Sequence, residues 1–270
     1  MKNLLAVLVN YGDEQLDYLE QVVNEIKSFV KYNTTVIVQS NIPLNIPGVD
    51  QVNIVKLEDY QLLPLTCRKE IWERRNDYDV FLYGENDLLF TENHIDKHLE
   101  YMSILPDSRI SGLLRFETNG NQNYYPDYHL DFEWDFNSVE MYKGKIFAHF
   151  SNTHQATFIL SKVQLLKVGK QIDFLALRKE PSEYFHNKLV RKIKKKLGLK
   201  LTRINKYSVK CKVNTDVYEY GGMKKMICIS EFEDNLIHHL PNIYIDGLKG
   251  RNKFRSDSDR MEASLKRLLK

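Results

Sequence analysis

The sequence predicts an α/β fold: a mostly parallel sheet flanked by helices, ending in a C-terminal helical, basic extension. Three observations predict it. Leu4–Val9 is an unbroken β-prone run, the pattern of a strand covered on both faces. Strand-like and helix-like segments then alternate at close spacing, an order that implies parallel pairing through crossover helices. The composition, 43% hydrophobic and 28% charged with 12 Gly and 7 Pro, is that of a globular chain. It excludes collagen, an extended disordered chain and a disulfide scaffold.

The elements follow in order. After the first strand, Leu16, Leu19, Val22, Val23, Ile26 and Phe29 recur at helical spacing from Asp13 onward. Thr35–Gln39 reads as a second strand and Val52–Leu57 as a third, beyond a loop carrying Pro43 and Pro47. Thr66–Asn76 reads as a charged helix and Tyr78–Tyr83 as a buried strand. Thr91 is the expected N-cap of a helix ending near Ile104, and Ile110–Phe116 reads as one further strand. The aromatic stretch 119–152 has no helical period and predicts hairpins or loops over the sheet edge. Gln155–Leu160 again reads as a strand feeding a helix, here Ser161–Val168, and Arg251–Lys270 as a basic amphipathic helix. No linker or repeat divides the chain, so one body over residues 1–248 and a basic helix over 249–270 are expected.

The formal charge of +3 hides a division. Arg191–Arg203 carries +7 and Lys249–Lys270 carries +5, leaving −9 over the rest of the chain. An acidic body suits a divalent cation and argues against a nucleic-acid partner. Cys67, Cys211 and Cys228 form no CxxC pair, which predicts neither a disulfide framework nor a zinc site. His94 and His98 lie one helical turn apart but lack the Glu of an HExxH pair and a third ligand nearby, so no zinc site is expected and His94 is expected at the surface. The apolar N-terminus runs into Asn10-Tyr11-Gly12-Asp13-Glu14 without a small-residue cleavage site, and no apolar run reaches membrane-spanning length. The expectation is a cytoplasmic protein, with peripheral contact to anionic lipid through Arg191–Arg203.

In open parallel sheets, ligands bind beyond the carboxyl ends of the strands. There the string Tyr78–Phe90 (YDVFLYGENDLLF) places Glu85 and Asp87 two residues apart, straight after a buried strand. Such a pair is costly unless something positive meets it, and its oxygens suit magnesium or manganese, which would in turn hold a diphosphate. The plain alternative is that these acids cap the next segment or pair with Lys or Arg.

The same string resembles the DYDxFxYxEDDxxxT segment of nucleotide-sugar glycosyltransferases with the GT-A fold, a Rossmann-like architecture. Leu65–Trp72 looks like the helix before that motif, His149–Val168 is similar to the acceptor-side strand and helix, and Ile237–Tyr244 (IHHLPNIY) resembles a closing HHLPNKY. The resemblance spans about residues 4–246 and departs at Asn86, where the family has its central acid. It implies transfer of a sugar from a nucleotide-sugar, UDP-linked first among them, assisted by Mn2+ or Mg2+. The acceptor would be a glycan, a lipid-linked glycan or a protein.

The resemblance also implies roles. Asp87 would ligate the metal, and Glu85 would contact the sugar or ribose or ligate through water. Asn10, Tyr11 and Gly12 would hold the nucleoside beside Asn86, and Arg68 would reach the diphosphate. His239 or His238 would supply an imidazole ligand; adjacent residues of a strand face opposite sides, so one of the two ligates. An inverting reaction also needs a carboxylate base, for which Glu117, Asp131 and Glu183 are the candidates. Two other functions remain open: an inactive glycan-binding or assembly module of the same fold, and a nucleotidyltransferase. The latter is disfavoured because no Gly-rich basic loop follows the first strand.

Overall fold

The computed structural model describes residues 1–179, 185–197 and 207–270. Strand β1 (Lys2–Asn10) is followed by helix α1 (Leu16–Lys27), β2 (Tyr32–Ser40) and β3 (Gln51–Ile54). Helix α2 (Leu63–Glu73) leads to β4 (Val80–Glu85), the two-residue β5 (Leu88–Leu89) and α3 (Glu92–Ile104). The middle of the chain holds β6 (Arg109–Ser111), β7 (Leu114–Thr118), β8 (Asn123–Tyr125), β9 (Trp134–Tyr142) and β10 (Lys145–Phe150). Then come β11 (Thr157–Ser161), α4 (Lys162–Gln171), α5 (Phe185–Lys196) and α6 (Lys212–Tyr220). The chain closes with β12 (Lys224–Cys228), β13 (Leu236–His239), β14 (Ser256–Asp257) and α7 (Ser258–Leu268).

The central sheet has the order β11-β4-β1-β2-β3, with β1 to β4 mutually parallel where they pair and β11 antiparallel at its edge. Its first strand explains the two-layered core. Leu4, Ala6 and Leu8 face a cluster with Leu19, Val22 and Ile26 of α1 and Ile95 of α3. Leu5, Val7 and Val9 face the opposite cluster, with Cys67 and Ile71 of α2, Leu165 of α4 and Val213 of α6. A strand covered on both faces gains from an apolar side chain at every position, hence the unbroken run.

Two further sheets, ordered β6-β12-β10-β9 and β14-β8-β7-β13-β5, are mixed. The expectation of a mostly parallel sheet is therefore met by the central sheet alone. The strand expected over 110–116 is in fact two, β6 and β7, in different sheets. They part at Gly112-Leu113, where the Leu113 amide turns to donate to Gln155 Oε1. The helix start expected from Thr91 is present, with Thr91 closing a capping box before α3; Ser161, expected as the first residue of a helix, ends β11 and closes a second capping box before α4. His94 is not at the surface as expected but buried, because its ring is the reciprocal partner of Thr91 and bonds the Leu236 carbonyl; His98, also buried, bonds Gln164.

The segment expected as a single C-terminal basic helix is a 3₁₀ turn (Leu248–Phe254), then β14 and α7. Met261 and Leu268 of α7 are buried with Tyr128, Trp134 and Phe150 in a third cluster. The basic run Arg191–Arg203 lies partly on α5, while residues 198–203 fall outside the described residues. Among the described residues, no helix is long and apolar enough to cross a membrane.

Gly84 lets β4 approach the segment after it. A Cβ there would lie 2.5 Å from Phe90 Cε2 and 2.6 Å from Cζ, both atoms of a buried ring. Gly84→Ala is expected to cost about 1–3 kcal/mol through overpacking, read as a lower urea midpoint with an unchanged slope.

Candidate active site

The carboxyl ends of β1, β2 and β4 meet at one edge of the central sheet. There Asn10 Nδ2 donates to the Gly12 carbonyl at 2.8 Å and lies 3.5 Å from Ser40 Oγ. The Gly12 amide donates to Asn41 Oδ1 at 2.8 Å, with Gly12 at φ +73°, a conformation glycine adopts without strain. Asn86 Nδ2 donates to Asn10 Oδ1 at 2.8 Å, so Asn86 ties the acidic turn to the end of β1. The side chains of Asn10 and Asn86 thus shape the site. Tyr11 is 63% exposed and lies 5.4 Å from the Tyr60 ring, presenting an aromatic face at the mouth.

Immediately after β4 the chain turns through Asn86-Asp87 into β5, which pairs with β13 in the register His239↔Leu88. That register places His239 beside Asp87, and the Leu240 amide donates to the Asp87 carbonyl at 3.0 Å. On its other side β13 runs parallel to β7, pairing His238 with Phe116 and bringing Glu117 alongside His239. His239 Nε2 lies 3.4 Å from Asp87 Oδ2, and Nδ1 lies 2.6 Å from Glu117 Oε1. Burial opposes a charged imidazole, yet the two carboxylates outweigh it and raise the His239 pKa to about 9.

Asp87 is buried, and its Oδ1 has no hydrogen-bond partner among the described residues. Burial works against its carboxylate, but His239 and Arg115 hold its pKa below the usual range. Glu85, half-buried, is shifted the other way by burial and by the Asp87 charge. Two acids two residues apart are thus pushed in opposite directions, and Asp87 is the one kept ionised. An ionised, enclosed oxygen without a donor leaves a position that a cation would fill.

Of the two histidines considered, His239 is brought to Asp87. His238 points to the other face of β13, stacked on Phe116 with centroids 4.9 Å apart. Glu117 does not have the freedom expected of a base. Oε1 holds His239, and Oε2 accepts from the Tyr244 and Ile245 amides, both at 3.0 Å. It positions the imidazole: with Nδ1–H donating to Glu117, Nε2 faces Asp87, as an N–H donor while the imidazole is charged and as a lone pair only where a bound cation would replace that proton. Asp131 is exposed on the turn before β9 and touches none of these residues. Glu183 lies outside the described residues.

Arg68 is also placed differently from expectation. It is fully buried, with Nε donating to the Phe174 carbonyl at 2.7 Å and Nη2 to that of Asp173 at 2.9 Å. Its Nη1 lies 3.8 Å from Asp216 of α6, so the guanidinium braces α2 against α4 and α6 and does not reach the strand ends. Arg115, which the sequence did not single out, is the arginine whose charge acts on Glu85, Asp87 and His239. The signal was available: Arg115 and Glu117 alternate within an apolar strand, so both face one side.

The donors present fit a divalent cation in part. Asp87 Oδ1 belongs to the carboxylate whose Oδ2 lies 3.4 Å from His239 Nε2, while no group of three or more His, Cys, Asp or Glu suited to a metal occurs among the described residues. Two protein ligands suit an ion whose remaining positions belong to water and to phosphate oxygens. Glu117→Gln, which keeps the shape but weakens the bond that orients His239, is expected to lower Mn2+ affinity about 10- to 100-fold, measured by calorimetry.

No family model matches the chain, and no curated protein matches it significantly.

Proposed function

We propose that the chain is a metal-dependent glycosyltransferase of GT-A-like architecture, moving a sugar from a nucleotide-sugar, first of all a UDP-sugar, to an acceptor hydroxyl. One observation carries the reading. Beyond the carboxyl ends of parallel strands, an ionised, buried Asp87 with an unpartnered oxygen faces a histidine that Glu117 orients from behind. The resemblance of YDVFLYGENDLLF and IHHLPNIY to the glycosyltransferase strings falls on this pair of segments, which lie far apart in sequence and adjacent in space.

Asp87 and His239 would hold Mn2+ or Mg2+, which when bound neutralises the charge developing on the departing diphosphate. Tyr11, exposed beside Tyr60, offers the nucleobase a stacking face, and the turn at Gly12, pinned by Asn10 and Asn41, lines the nucleoside. Glu85, kept less ionised than Asp87, is suited to hydrogen-bonding the sugar or ribose hydroxyls. An acceptor on an anionic membrane suits α5, where Leu189, Ile193 and Leu197 are exposed at four-residue spacing beside Lys192 and Lys196.

The test is thermal unfolding of the full chain with UDP or GDP, with and without Mn2+. Stabilisation by a nucleotide that requires the metal is the expected result. No response to any nucleotide with metal, while a glycan stabilises the chain, would replace the transferase by a binding module of the same fold.

A further inference from the structure

Arg115 lies on β7 two residues before Glu117, so both side chains stand on the face of the sheet that carries His239. The arginine is 6% exposed and anchored from one side only. Nη2 and Nε donate to Asp127 Oδ1 at 2.6 and 3.1 Å, and the Arg115 amide donates to Asp127 Oδ2 at 3.1 Å. Asp127 is fully buried. The third guanidinium nitrogen, Nη1, has no hydrogen-bond partner among the described residues.

The Arg115 charge acts on Glu85 and Asp87, yet it forms an ion pair with neither; its one salt bridge among the described residues is to Asp127. The site therefore holds two groups of opposite sign without a hydrogen-bond partner among the described residues, the enclosed Asp87 Oδ1 and Arg115 Nη1. A ligand that is anionic and also carries a cation fits the gap: the cation on Asp87, the anion on Arg115.

We infer that Arg115 is a phosphate-binding residue, its Nη1 taking an oxygen of the diphosphate whose metal ion Asp87 and His239 hold. This rests on the function proposed above. Arg115 supplies the contact for which Arg68 is not available, and Asp127 is a positioning residue that aims the guanidinium.

Calorimetry of the full chain separates the possibilities, with Mn2+ alone and Mn2+ with UDP as probes. Removing Arg115 alone would strip the buried Asp127 of the partner that hydrogen-bonds both its oxygens, so the variant is Arg115→Met with Asp127→Asn, alongside Arg115→Lys. The double variant is expected to bind Mn2+ as wild type does, or more tightly, and to bind UDP with Mn2+ roughly tenfold or more weakly. Arg115→Lys should recover part of the loss. A folded double variant that binds UDP like wild type overturns the inference and leaves the transferase reading standing. Parallel loss of Mn2+ and UDP binding, unrelieved by Arg115→Lys, makes Arg115 structural and overturns it too. A wild-type chain that binds no UDP with Mn2+ removes the transferase reading itself, and the inference with it.

Discussion

Asp87→Asn is expected to abolish Mn2+-dependent stabilisation by nucleoside diphosphates and to lower sugar transfer by on the order of 10³-fold, the several kcal/mol that charge stabilisation by a bound ion supplies. The substitution keeps the shape of the turn and the backbone bond from Leu240 to the Asp87 carbonyl. It removes the ionised oxygen that has no partner among the described residues. Because it also relieves an enclosed carboxylate of its desolvation, the variant should unfold at a midpoint close to wild type, so that lost function is not lost fold. His239→Ala should reproduce the functional loss but lower the midpoint, since it strips Glu117 of one partner while the carboxylate stays enclosed. Thermal unfolding with and without Mn2+ and UDP measures both. An Asp87→Asn chain that retains the metal-dependent shift would place the site elsewhere.

The second large effect concerns stability and lies behind the site. Lys225 is 1% exposed, close enough to Asp127 and Arg115 for both charges to act on it, so one carboxylate answers two cations. Burial dominates and lowers the Lys225 pKa to about 7, with Asp127 raising it and Arg115 lowering it further. The sign follows directly. Above about pH 7 and up to its ordinary value near 10.5, the unfolded chain holds a proton that the native chain has released. Stability therefore rises with pH across that window, and below it a charged ammonium is enclosed at a cost. Lys225→Met is expected to raise the urea midpoint at pH 6, with the advantage over wild type shrinking by pH 9. Asp127→Ala acts the other way, leaving Arg115 enclosed without its counter-ion at a cost of about 3–5 kcal/mol. If Lys225→Met destabilises the chain at pH 6, the lysine is not held against its charge.

How much of this was legible in the sequence depends on how local each cause is. The central sheet could be read because strands buried on both faces must be apolar at every position, and Leu4–Val9 records that without help from the rest of the chain. The break between β6 and β7 could not, since Gly112 and Leu113 turn for the sake of Gln155, more than 40 residues later. Thr91 was readable as a cap because its partner, His94, lies three residues away. The acidic turn was readable as chemistry, yet the roles within it depend on distant register. Glu117 reads as an available acid until β13 arrives beside β7 and occupies both its oxygens. Arg68 and Arg115 are each charged residues within apolar patterns, and only the placement of α6 and Asp127 shows which one faces inward and which one faces the site.

The pairing of β13 between β5 and β7 also sets when, during the life of a chain, the site first exists. His239 meets Glu117 across 122 residues of sequence, and it is the last of the three side chains to emerge from a ribosome. Closing so long a loop is slow relative to forming the β1–α1–β2 unit. A nascent chain that already carries Asp87 and Glu117 has the carboxylates but not the imidazole that brings them together. Metal and nucleotide would thus add their binding energy only to chains in which β13 has docked, and a bound ligand would latch that strand between β5 and β7.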